Sequence, residues 1–347
     1  MRKNSFFPPV SRLARLAMLI VMVMSLSSCV HEWPQNDLPK RDITLHIKHL
    51  QNWTHTEMTV TREGEQATLC RYHLKVFPAG TAEIPVAEFE FTTGDLDRND
   101  FTATIQLSEG DYDLYAWSDY ADGHSGKSFF FDTSDFRNVV YTQPYNGNNE
   151  LRDAFRGKAS FSVASTIMAE YHQDVELVLE RPFARYEFRA TDIMDFVSRE
   201  ITRGDKQLAG ALVTGSPIEI EQKLPEIGKY RVKMIYTGYM PSKFDNILNR
   251  PVDSSVAMTY DAKINILSQE EARLGFDYVM VNGHESSVAV AMELYDPKGD
   301  LIGRTNTVNV PTKRGQNTIV RGKFLTSQTS GGVGINPDYN GDFNIEL

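Results

Sequence analysis

Past residue 40 this chain places apolar residues at every second position, and a period of two restricts a segment to a strand with one face on a core. Ile43, Leu45 and Ile47 alternate with Thr44, His46 and Lys48. Tyr72, Leu74 and Val76 alternate with Arg71, His73 and Lys75, and Phe101, Ala103, Ile105 and Leu107 with Thr102, Thr104 and Gln106. Tyr230 to Tyr236 and Val288 to Leu294 repeat the pattern, and each run is expected to be half-buried. Turn sequences separate the runs: EGD at 109–111, NGNN at 146–149, NG at 282–283 and DPKGD at 296–300. The pattern predicts an all-β chain of sandwich type.

One stretch departs from it. In TDIMDFVSREITRG, Ile193, Phe196, Val197 and Ile201 follow helical spacing, with Thr191 or Asp192 placed to cap the start and Gly204 to end it. This short helix is expected to plug one end of a sandwich. The length is that of two domains, and the boundary is expected near 172, before the strand pair DVELVLERPFARYEFRA. Pro182 interrupts that pair and predicts an edge or a bend. The resulting division is 1–28, 29–41, 42–172 and 173–347.

The first two segments carry a targeting signal. Arg2, Lys3, Arg12 and Arg15 precede nine wholly apolar residues, Leu16 to Met24, and Ser25 to Ser28 are mostly small. A spanning helix needs about 20 apolar residues, so the run is a secretory signal and not a permanent span. Leu26-Ser27-Ser28-Cys29 matches a bacterial lipobox, in which the cysteine receives a diacylglycerol on its thiol and becomes residue one. Three acyl chains, palmitate among them, at about 0.8 kcal/mol per buried methylene, would hold the mature protein to a membrane without spanning it.

Removing residues 1–28 takes away four of the 36 basic side chains and none of the 46 acidic ones, leaving a net charge of −14. Such a surface repels nucleic acid and anionic headgroups. Apart from Cys29 the only cysteine is Cys70, expected to be a small inert residue at a strand start, so no internal disulfide or cysteine-based metal site can form.

Enzyme motifs fail on context. GHSGKS at 123–128 has Ala121 where a phosphate loop has its first glycine, and FFFDTSDF follows where a helix should open, so a hairpin tip is expected. DLDRND at 95–100 and NPDYNGDFNIE at 336–346 space oxygens like calcium loops, but Asp100 and Gln106 stand where such a loop starting at Asp95 needs Gly and Glu. Asx turns are expected instead. The histidines are scattered, and His46, His49, His55 and His73 are expected on solvent faces or a loop. Tyr112, Tyr115, Trp117 and Tyr120 are expected as core and cross-strand pairs. No acid, base and nucleophile assemble, so neither catalysis nor a cofactor is expected.

Several stretches in order resemble the fimbrillin superfamily of Bacteroidales, most closely its lipoprotein fimbrial anchor branch, components of type V pili. They are CVHEWPQNDLPKRDITLHI after the lipobox, GDYDLYAWSDY at 110–120, LERPFARYEF at 179–188, and VPTKRGQNTIVRGKFLTS followed by GINPDYNGDFNIEL. Gly315 stands where asparagine is common in the family. The resemblance implies two transthyretin-like β-sandwich domains, display on the outer membrane through the acyl chains of Cys29, and fimbrial subunits of the same superfamily as partners. Those subunits join by strand exchange, which is β-augmentation of a sheet edge.

That mechanism distinguishes an anchor from a stalk. Cleavage after Arg41 would free the lipid and leave Ile43 to Leu50 in place, so no groove would open. Cleavage after Arg62 would remove the first strand, as in a shed stalk or tip adhesin. The expected function is therefore a surface-exposed lipoprotein that anchors or initiates a fimbria. A second alternative is a glycan-binding surface lipoprotein using exposed aromatic residues such as Trp117 or Trp53.

Overall fold

The computed structural model describes residues 39–50, 68–98, 100–165, 172–202, 204, 224–326 and 343–346. The first nine strands are β1 (Arg41–His49), β2 (Thr68–Pro78), β3 (Ala87–Thr93), β4 (Phe101–Leu107), β5 (Gly110–Asp122), β6 (Phe131–Asp132), β7 (Val139–Tyr141), β8 (Phe155–Val163) and β9 (Gln173–Glu180). Seven of them form one sheet in the order β3-β2-β5-β8-β9-β1-β4. Neighbours are antiparallel except β1 and β9, which run parallel. Ile43, Leu45, Ile47, Leu74, Ile105, Leu114, Leu177 and Leu179 all point into one core. The sheet curls until its two edge strands approach, with the Phe91 and Phe101 rings 6.3 Å apart.

The second half contributes β10 (Phe183–Ala190), helix α1 (Ile193–Thr202), β11 (Arg231–Tyr236), β12 (Met240–Asp245), β13 (Arg250–Ser255), β14 (Thr259–Lys263) and β15 (Asn265–Ile266). It continues with β16 (Ala272–Met280), β17 (Glu285–Tyr295), β18 (Leu301–Arg304), β19 (Val308–Lys313), β20 (Asn317–Gly322) and β21 (Phe343–Glu346). One sheet is β15-β16-β10-β20-β21; the other is β14-β11-β17-β18, with β19 also on β17. The sheets face each other closely: a Cβ on Gly275 of β16 would lie 3.1 Å from Met234 and 3.2 Å from Ala262. The fold is thus all-β with sandwich packing and, among the described residues, one α-helix.

The helix buries Ile193, Phe196 and Val197, with the Phe196 ring 5.2 Å from Tyr230. Asp192 ties it down, accepting hydrogen bonds from the backbone N–H groups of Leu325 and Thr326 and the Thr326 hydroxyl. Beyond it Gly204 has φ +100°, a conformation that a side chain disfavours.

Two expectations need correction. The domain boundary near 172 would separate β9 from its sheet, whereas β9 pairs with both β1 and β8. The chain changes sheets at Arg181 and Pro182, where the bend falls. The two halves also share a sheet: in the order β13-β12-β7-β6, Phe244 of β12 pairs with Val139 of β7. Residues 41–347 form one compact unit.

The shared sheet explains the second correction. β1 and β4 are half-buried as expected, but β2 is buried on both faces. Its outward residues lie under the segment around β6 and β7. Arg71 makes paired hydrogen bonds of 2.9 Å to Asp119, His73 meets the Thr133 hydroxyl at 2.8 Å, and Lys75 donates to the Ser134 carbonyl at 2.5 Å. Trp117 stands on the same covered face, fully buried among Phe131, Phe183 and Phe244.

Candidate functional site

The expectation of strand exchange turns on the first strand and that strand's neighbours. In β1, Ile43, Leu45 and Ile47 are fully buried, because the alternation puts all three on the core side. Each such side chain contributes about 1.5–3 kcal/mol of burial. Seven register pairs join β1 to β4, from Arg41 with Leu107 to Ile47 with Phe101. Seven more join it to β9, from Ile43 with Gln173 to His49 with Leu179.

The outward residues add a polar ladder. His46 Nε2 lies 2.9 Å from Asp174, Lys48 Nζ 2.7 Å from Glu176, and Gln106 donates to Asp42 at 2.8 Å. The hydrogen bond and charge of Glu176 raise the pKa of Lys48. Both contacts are solvent-exposed and serve mainly to fix register. The signal was present in the sequence: a basic pair two residues apart, His46 and Lys48, matches an acidic pair with the same spacing, Asp174 and Glu176.

The predicted site residues divide between regions. Arg41 is the first residue of β1, so cutting after it leaves residues 42–49 in the sheet. Cys29, Arg62, Trp53 and His55 lie outside the described residues. Trp117 is fully buried, which removes it from the set of exposed aromatics available to a glycan. Tyr115 and Tyr120 are likewise core residues, as expected.

Histidine placement departs from expectation. His46 is exposed, but His73 is buried and meets Glu88 at 2.6 Å. His49 packs against Tyr72 and Phe155, and burial, with the nearby Arg98 charge, pulls its pKa down to about 3. Cys70 is buried and free near the start of β2, as expected.

The other motifs resolve as turns. In GHSGKS, Asp122 accepts from the backbone N–H groups of His124 and Ser125, and Ala121 bridges to Ser128. In DLDRND, Asp95 accepts from the Asp97 N–H in an Asx turn. Most of 336–346 lies outside the described residues. Arg98 turns inward from this loop, its guanidinium 4.0 Å from the Tyr120 ring centroid and hydrogen-bonded at 2.7 Å to the Asp153 carbonyl.

Sequence reasoning missed a buried polar cluster between the halves. Asp277 of β16 accepts hydrogen bonds from Tyr145 and, at 2.7 Å, from Tyr236, and lies 3.1 Å from the Arg152 guanidinium. Arg152 also sits 4.4 Å from the Tyr145 ring centroid. Burial raises the pKa values of Tyr145, Tyr186, Tyr236 and Tyr260, which keeps their hydroxyls protonated as donors. No periodic pattern could reveal it, since its members are spread from Tyr145 to Asp277.

Among the described residues no group of three or more His, Cys, Asp or Glu could hold a metal ion. No helix among them is long and apolar enough to cross a membrane.

No match was found among curated proteins. Among solved structures, the chain is similar to the fimbrial anchor protein Mfa2 from Porphyromonas gingivalis, at 10% identity, with 77% of this chain and 82% of that chain covered and a TM-score of 0.39. It is also similar to the tip fimbrial protein Mfa3 of the same organism with a C-terminal truncation, at 11% identity, 79% and 81% coverage and a TM-score of 0.36. A third similar structure, from Bacteroides ovatus, is provisionally described as an adhesin, at 12% identity, 79% and 78% coverage and a TM-score of 0.39. The profile of a family of unknown function, DUF6562, matches residues 40–347, and the chain belongs to that family.

Proposed function

We propose that this protein is a non-enzymatic, surface-exposed outer-membrane lipoprotein that anchors or initiates a fimbria. Acyl chains on Cys29 hold it, and strand exchange joins it to a pilin. The observation that carries the reading is the short distance from the lipobox to a fully integrated first strand. Residues 30–40 separate Cys29 from the β-sheet body, and β1 is paired on both sides. A subunit that keeps β1 presents no vacant groove of its own. It suits the base of a filament, where one partner only has to be received at an edge or supplied with a strand. Among the described residues the terminal strands of the two sheets of the second half are β15 and β21, and β14 and β18, while β3 and β4 of the first sheet approach each other.

The test is metabolic labelling with radioactive palmitate combined with immunogold labelling of intact cells, comparing wild type with Cys29→Ala. The anchor reading expects label incorporated at Cys29 and gold at the cell surface beneath filaments, with both lost in the variant. A soluble periplasmic protein with unmodified Cys29 overturns it. Gold along detached filaments, with a mature amino terminus near residue 63, replaces it with the stalk or tip reading.

A further inference from the structure

A cleft of about 590 Å³ opens between the segment that follows β7 and the outward face of β11 and β14. Its size falls within the range of ligand sites, about 300–1,000 Å³. One wall carries Phe129, Gln143, Tyr145 and Asn146, and the other Lys233 and Asp261. Lys233 and Asp261 are register partners on β11 and β14, so both side chains stand on the same face.

The walls are held in place from behind. The Tyr145 hydroxyl is bonded to buried Asp277, which fixes the ring at the cleft. The backbone of the first wall passes directly over Tyr260: a Cβ on Gly147 would meet that ring at 2.6 Å. Phe129 and Tyr145 pack against the core while remaining partly exposed.

The polar groups lining the cleft are only weakly engaged. Among the described residues the Gln143 and Asn146 amides form no side-chain hydrogen bond, and the Lys233 ammonium, whose charge also acts on its register partner Glu293 of β17, forms no hydrogen bond or close ion pair. Asp261 has only a long contact, 3.8 Å, to Arg231. The cleft therefore offers two amides, one ammonium and one carboxylate beside aromatic rings. An apolar ligand would strip water from these groups without replacing their hydrogen bonds. An anionic ligand would meet the Asp261 carboxylate on a chain of net charge −10.

We propose that this cleft binds the end of a neutral, hexose-containing oligosaccharide. Such a ligand supplies vicinal hydroxyls, each both donor and acceptor, for Asp261, Lys233, Gln143 and Asn146. It also supplies an apolar C–H face for the Phe129 and Tyr145 rings. The role is separate from anchoring, since the cleft involves neither Cys29 nor β1.

The test uses the full-length chain on an array of neutral and acidic glycans. The strongest neutral glycan is then titrated calorimetrically into wild type, Lys233→Ala, Asp261→Asn, Asn146→Ala and a control, Tyr239→Ala, an exposed aromatic outside the cleft. Capture of neutral glycans is expected, with affinity reduced about tenfold or more in each cleft variant. Thermal melting of those variants and the affinity of Tyr239→Ala should be unchanged. An array on which no neutral glycan is captured, capture of acidic glycans alone, or undiminished affinity in Lys233→Ala and Asp261→Asn overturns the proposal. Because the array reads sugar binding and not location, its failure leaves the anchor reading standing.

Discussion

Leu45→Ala measures how firmly the first strand belongs to the fold. Leu45 is fully buried at the middle of β1, opposite Ala103 on β4 and Val175 on β9. Truncating a buried leucine costs about 2–5 kcal/mol, and the cost rises with the cavity that neighbours fail to fill. Ala103 has only a methyl to move inward, and both flanking backbones are fixed by seven register pairs each. The loss should therefore fall in the upper part of that range, about 3–5 kcal/mol. His46→Ala, one residue on, removes only an exposed hydrogen-bonding contact with Asp174 and should cost about 1 kcal/mol or less. Urea unfolding followed by far-ultraviolet circular dichroism compares the two at constant slope. If Leu45→Ala shifts the midpoint no more than His46→Ala does, β1 is not integral to the sheet, and the argument that the chain keeps its first strand fails.

Other consequences can be measured in the same assay. Asp277→Ala leaves the Arg152 guanidinium, 1% exposed, without its counter-charge and should cost about 3–5 kcal/mol; a loss below 1 kcal/mol would contradict that pairing. The pKa of His49 is about 3 in the folded protein against 6.5 ordinarily, so between those values the unfolded chain binds more protons. Its contribution to stability is complete above pH 6.5 and declines as pH falls toward 3. The stability difference between wild type and His49→Gln should shrink across that window, and a constant difference would refute the assignment. Gly157→Ala would press a Cβ onto the Leu179 side chain and within 2.7 Å of the Val178 carbonyl oxygen, which is backbone and cannot rotate away. A loss of about 1–3 kcal/mol is expected in thermal melting, and an unchanged melting temperature would show that β8 and β9 are less closely packed than described.

The strands were legible in the sequence wherever one face meets water. In β1 and β4 the period of two predicts both the element and its buried side, and the turn at 296–300 closes the β17–β18 hairpin as its residues require, whereas 109–111 joins β4 to β5, which are not neighbours in the sheet. Gly299, for example, has φ +91° between β17 and β18. The reading failed where a second layer covers a polar face. Arg71, His73 and Lys75 look like solvent residues because burial of a charged side chain depends on partners distant in sequence, here Asp119, Thr133 and Ser134. The parallel pairing of β1 with β9 and the junction of β7 with β12 are likewise non-local, and local periodicity carries no information about either. At the candidate site, Arg41, expected at the end of the spacer, is the first residue of β1, whereas the cleft draws on residues from Phe129 to Asp261.

The placement of β1 also bears on force. In sequence its amino end follows residues 30–40, and its two flanking strands are engaged by seven register pairs on either side. If the chain is held through Cys29 as proposed, a pull along the strand axis would load these rungs together, in shear, instead of parting them one after another. Tension on a tethered filament would then be resisted by the whole length of the strand, with Ile43, Leu45 and Ile47 sliding only if all leave the core at once.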